Sequence, residues 1–163
     1  IWVKPVAEGG TPMCAALRQA YNLAEQWAMS HYDSYPPVII NVTDGIANDG
    51  DPTNEAEKLS RISTNDGQAL FFNVHITDIS SAPVAYPASE SELPNDRYAK
   101  KLFSMSSLVP ETSRTQLQSL LGRPVLPGAR GLIFNGDAAS VRQMFVFASV
   151  PATKPLDAFD LNR

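Results

Sequence analysis

Apolar and polar positions along the 163-residue chain fall into alternating patterns. Between Pro12 and His31 the apolar side chains Met13, Ala16, Leu17, Ala20, Leu23, Ala24 and Trp27 recur at three- and four-residue spacing, which places them on one helix face. Thr11 stands where an N-cap belongs, and Pro12 suits the first helical position, where no amide donor is needed. Tyr35, Pro36 and Pro37 block continuation of that helix. Val38 to Val42 is then a nearly continuous apolar run, predicting a short strand buried on both faces. An acidic, Gly- and Asn-rich stretch from Gly45 to Pro52 reads as a loop, and Ala56, Leu59 and Ile62 predict a second helix capped by Thr53 and stopped near Gly67.

Ala69 to Ile76 predicts a second buried strand. The stretch from Thr77 to Pro94, rich in Ser, Pro and acidic residues, reads as an excursion with little regular structure. Asn95 is expected to cap a helix carrying Tyr98, Leu102 and Phe103, and a short helix follows around Arg114 to Leu121. Gly131 to Phe134 predicts a strand, and Asp137 opens a last helix carrying Val141, Met144, Phe145 and Ala148. This alternation predicts an α/β fold with an open, mostly parallel, Rossmann-like sheet flanked by helices. Residues 1–150 are expected to form one domain and residues 151–163 a tail or linker.

Composition narrows the function. The longest apolar runs fall far short of the roughly 20 residues a membrane span needs. A net charge of -4, with Lys and Arg scattered, leaves no electrostatic footprint for nucleic acid. The single cysteine, Cys14, lies on the apolar helix pattern and reads as a small core residue rather than a nucleophile. With no internal disulfide available, a cytoplasmic location is expected.

In open parallel sheets, ligands bind beyond the carboxyl ends of the strands. Asp44 stands at such an end, and the loop Gly9-Gly10-Thr11 delivers a hydroxyl beside the start of a helix. If the two loops are neighbours, Thr11 and Asp44 offer two oxygens to one hard cation, leaving most of an octahedron to water or to other residues.

The string Gly9-Gly10-Thr11-Pro12-Met13, a helix, and then Val38-Ile39-Ile40-Asn41-Val42-Thr43-Asp44-Gly45 resembles the second and third segments of the metal-ion-dependent adhesion site of von Willebrand factor type A domains. That resemblance implies a Mg²⁺ or Mn²⁺ site in which Thr11 gives the hydroxyl and Asp44 the carboxylate, with Gly10, Pro12, Gly45 and Ile46 on the rim. An acidic side chain of a protein partner would complete the coordination sphere. The family's Asp-x-Ser-x-Ser segment has no counterpart in this chain; the nearest string, Ala88-Ser89-Glu90-Ser91-Glu92, lies well after the two matches. The first strand and its metal loop are therefore expected upstream of Ile1 or on another chain, cation binding by this chain is expected to be weak, and the sheet is expected to expose an edge able to pair with a partner.

Three other chemistries compare poorly with the residues. Asp44, with Asp49 and Asp51 nearby, resembles the acidic cluster of a metal-dependent phosphohydrolase, but Ile46 occupies the place of the second aspartate. Asn48, Asp49 and Asp51 lack the alternating spacing of a calcium loop and read as a solvated acidic turn. No Gly-x-Ser-x-Gly elbow or phosphate loop occurs, and His75, within a strand pattern, reads as a hydrogen-bonded core residue. The chain is expected to bind rather than to catalyse. The alternative is a structural α/β piece in which Thr11 and Asp44 serve only as caps.

Overall fold

The computed structural model describes residues 9–78 and 80–149, so the short apolar stretch at Trp2 and Val3 and the expected tail from residue 151 lie outside the described residues. The elements in chain order are α1 (Met13–Ser30), β1 (Val38–Thr43), α2 (Thr53–Arg61), β2 (Ser63–Thr64), β3 (Gly67–Gln68), β4 (Leu70–His75), β5 (Val84–Ala85), α3 (Arg97–Met105), α4 (Glu111–Leu121), β6 (Leu132–Phe134) and α5 (Ala138–Ser149). A single 3₁₀ turn, Glu90–Glu92, precedes α3.

The main sheet runs β1-β4-β6-β5. β1, β4 and β6 are parallel, and β5 returns antiparallel on β6. Every residue of β4 is buried, because alternate side chains enter different cores. Phe71 joins Leu132 and Phe134 beneath Met13, Leu17, Leu59 and Leu102, whereas Phe72 and Val74 join Ile133 beneath Leu117, Met144 and Phe147. Helices α1, α2 and α3 thus cover one face of the sheet and α4 and α5 the other, the three-layer arrangement of a Rossmann-like fold.

Within the first core a polar chain crosses the strands. Asn41 Nδ2 donates to Asn73 Oδ1 at 2.9 Å, and Asn73 Nδ2 donates to Ser106 Oγ at 2.9 Å. Asn41 and Asn73 are register partners. A one-residue slip would leave the buried Asn73 unsatisfied, so the bond selects the observed register.

Several expectations are corrected here. β1 is not buried on both faces: four of its positions are half-buried and Val42 is 48% exposed, because β1 is the edge of the described sheet. α2 ends at Arg61 rather than near Gly67, and the residues in between form the β2–β3 hairpin. Thr53 does not cap α2; the Asp51 carboxylate accepts from its amide at 3.0 Å and its hydroxyl at 2.6 Å. Asp96, not Asn95, caps α3, accepting from the amides of Tyr98 and Ala99. α4 begins at Glu111, before the expected start, after Pro110. The stretch from Thr77 to Pro94 contains β5 and a 3₁₀ turn closed by a Ser89–Glu92 capping box. Asp137 does open α5, accepting from the Ser140 amide at 2.8 Å.

Candidate functional site

The two loops singled out from sequence meet at the carboxyl end of β1, and Asn48 joins them. Its amide donates to the Thr11 carbonyl at 2.9 Å, and its Oδ1 accepts from the Thr11 amide. Gly10 lies so close that an added Cβ would stand 2.9 Å from Asn48 Oδ1.

Thr11 does not cap α1. Pro12 takes the N-cap position without a side-chain bond, and α1 starts at Met13. The free first-turn amides of Cys14 and Ala15 donate instead to the two carboxylate oxygens of Asp49, at 3.0 and 2.8 Å. A carboxylate suits this place better than a hydroxyl, since it accepts two bonds and opposes the positive end of the helix dipole. Desolvation alone would raise the Asp49 pKa, but the two amides hold it below the usual carboxylate value. Asp51 is drawn down to about 2, first by the Thr53 hydroxyl and then by Lys101, whose ammonium is 3.0 Å away. The expected solvated acidic turn is therefore a set of helix caps and ties: its exposed acids organise α1, α2 and α3.

Asp44 is exposed at the start of the same loop. Its Oδ1 accepts from the Ile46 amide at 3.0 Å, closing an Asx turn. Among the described residues neither Asp44 Oδ2 nor the Thr11 hydroxyl forms a hydrogen bond. The Asp44 carbonyl is held from below by His75, whose Nε2–H donates to it at 2.9 Å. That partner assigns the imidazole proton to Nε2. His75 is buried, its ring 5.2 Å from that of Phe134, so it is the hydrogen-bonded core residue expected of it. Burial of Cys14 pushes its thiol pKa up, aided by the Asp49 carboxylate, in keeping with a core role.

Gly45 bends the chain away from β1 with φ of +85°, and its amide donates to Thr43 Oγ1 at 3.0 Å. An added Cβ would stand 2.5 Å from Tyr98 Cβ, so only glycine lets α3 close over this turn. That contact brings in Tyr98, expected from sequence only as an apolar helix position, and with it Arg97, which carries no sequence signal of its own. Gly45, Ala47, Gly50, Pro52, Arg97, Tyr98 and Lys101 line a cleft of about 210 Å³. A larger cavity of about 610 Å³ lies at the opposite, amino end of β4 and β6 and is lined by none of the candidate site residues.

Asn48 thus ties the Gly10–Pro12 loop to the loop that opens with Asp44, Gly45 and Ile46. Among the described residues no group of three or more His, Cys, Asp or Glu side chains is arranged to hold a metal. The Asp44 carboxylate and the Thr11 hydroxyl are each hard oxygen donors of the kind Mg²⁺ and Mn²⁺ take.

The fold defines a class: an α/β protein whose described residues form a mostly parallel four-stranded sheet flanked by helices. No protein-family model matches the chain, and no curated protein or solved structure matches it.

Proposed function

We propose that this chain is a divalent-cation-dependent protein-binding module of the von Willebrand factor A type, in which Thr11 and Asp44 contribute to a Mg²⁺ or Mn²⁺ site and an acidic side chain of a partner fills an open position. The observation that carries the reading is the pair of unused oxygens. Asp49 supplies the cap that Thr11 would otherwise give α1, which leaves the Thr11 hydroxyl without a hydrogen-bond partner among the described residues, on a loop that Asn48 ties to the loop opening with Asp44.

A divalent ion held by one carboxylate retains positive charge, and a partner carboxylate neutralises it. The module acts by binding and not by turnover. Two protein oxygens make a weak site, so the test must detect weak binding. Mn²⁺ is titrated into the ¹⁵N-labelled chain, and paramagnetic broadening of amide resonances is read. The expected result is broadening centred on Thr11 and on Asp44 to Ile46, abolished by Asp44→Ala and reduced by Thr11→Ala. Broadening that is absent, or that survives Asp44→Ala unchanged, overturns the reading.

One observation favours a second role, as a structural piece of an assembly. Among the described residues β1 pairs only with β4, and Val42 is exposed on it. An edge of this kind is suited to accepting a strand from a partner.

A further inference from the structure

Arg97 opens α3 and is exposed. Its guanidinium carbon lies 4.7 Å from the centre of the Tyr98 ring, and one of its N–H groups donates to Tyr98 Oη at 2.6 Å. These two contacts hold the cation beside the ring and, among the described residues, use one of its five N–H donors. Among the described residues no carboxylate pairs with Arg97. The cation beside it is differently placed: Lys101 is already paired with Asp51 at 3.0 Å. The nearest acid in sequence, Asp96, is buried and caps α3 through Oδ1.

Arg97 and Lys101 line the cleft of about 210 Å³ against Gly45, Ala47, Gly50 and Pro52. This volume suits a protruding side chain rather than a cofactor, since small-molecule sites run to roughly 300 Å³ and above. The cleft shares its wall with the proposed cation site, because Gly45 directly follows Asp44 and packs under Tyr98. The surrounding chain carries a net charge of -4, so an acidic segment gains nothing from the long-range field and needs a local counter-charge.

We propose that this cleft receives a second acidic side chain of the same partner segment, paired with Arg97, so that the partner is an acidic peptide stretch with two carboxylates rather than one. The inference rests on the reading of the rim as a protein-binding site. Arg97 is the residue that sets specificity for the second acid. Lys101 serves to hold the loop to α3 through Asp51. The fork of the guanidinium can take a carboxylate through two parallel N–H bonds, which a lysine cannot do.

The experiment uses a blocked Glu-Gly-Glu peptide, with a blocked Gln-Gly-Gln peptide as control, titrated into the ¹⁵N-labelled chain first without and then with Mg²⁺. Without cation, the acidic peptide is expected to shift the Arg97 Nε–Hε resonance and the amides of Gly45 and Tyr98, and the neutral peptide is not. Arg97→Gln is expected to remove these shifts and weaken peptide binding about two- to fivefold, as for an exposed ion pair, while far-UV circular dichroism stays unchanged. If Mg²⁺ strengthens binding but Arg97 neither shifts nor matters, the second-acid proposal is overturned and the cation reading stands. If Arg97 responds and Mg²⁺ adds nothing, the cleft stands and the cation reading fails. Equal responses to both peptides overturn the proposal outright.

Discussion

Asp49 and Thr11 exchange the roles that their positions in the chain suggest. Since Asp49 holds the first-turn amides of α1, Asp49→Ala is expected to lower the thermal midpoint by several degrees, whereas Thr11→Ala is expected to stay within about 0.5 kcal/mol of the parent. Thermal denaturation followed by far-UV circular dichroism checks both, and a loss of stability in Thr11→Ala comparable to that of Asp49→Ala would contradict the capping assignment. The same exchange makes Thr11→Ala a clean probe of cation binding. Gly45 is the other residue whose identity is dictated locally. Gly45→Ala meets both a left-handed backbone and Tyr98, and a cost of about 1–3 kcal/mol is expected from urea denaturation.

At the scale of elements, the loop after β1 acts as a clasp across three helices, and its strength depends on ionised acids. Asp51 has a folded-state pKa of about 2 against an ordinary 3.8, so at pH 3 the unfolded chain binds more protons than the folded one. Its stabilising contribution is therefore complete above about pH 4–5 and lost as pH falls toward 2. Asp49, also shifted downward, acts in the same direction. Urea midpoints measured from pH 5 to pH 2 are expected to fall less steeply in Asp51→Asn than in the parent chain.

The asparagine chain between β1, β4 and α3 is the second device at this scale. Asn73→Leu strips Asn41 and Ser106 of their partner and is expected to cost about 1–3 kcal/mol. Adding Asn41→Val should recover part of that loss, because the orphaned amide disappears with it. Strict additivity in this cycle would show that the two side chains are not coupled.

For the whole molecule, the sheet has two different margins. Among the described residues, β5 closes one side in antiparallel fashion, while β1 offers an edge with no further strand paired to it, and Val42, on the other. Concentration-dependent self-association is expected in sedimentation velocity, and Val42→Lys is expected to reduce it with little change in stability, since a charge on an edge strand opposes strand addition.

Helix α1 and strands β1, β4 and β6 were legible in the sequence as elements because their apolar spacing is local, but burial follows that spacing fully only in β4 and β6: Ala16, Leu23 and Trp27 of the expected α1 stripe are exposed, with Cys14 and Ala28 buried instead, and β1 is only half-buried. Asp44 and the Gly10–Pro12 loop were legible because a strand end followed by Asp-Gly is a local pattern. Asp137 was legible as the residue that opens α5, but the caps of α1, α2 and α3 were not. A cap is defined by which acceptor reaches the free amides, and for α1 that acceptor comes from 35 residues away. β5 was hidden because two residues are too few to carry a period, and Arg97 was hidden because only the packing of α3 over Gly45 brings it to the rim. By itself, then, the sequence determined the alternation of helices and strands and the place of the carboxyl-end loop, because these follow from local periodicity and turn chemistry. The tertiary structure alone decided which oxygens were spent on caps, which remained free, and which cation stands beside them, because each of these is settled by contacts between residues far apart in the chain.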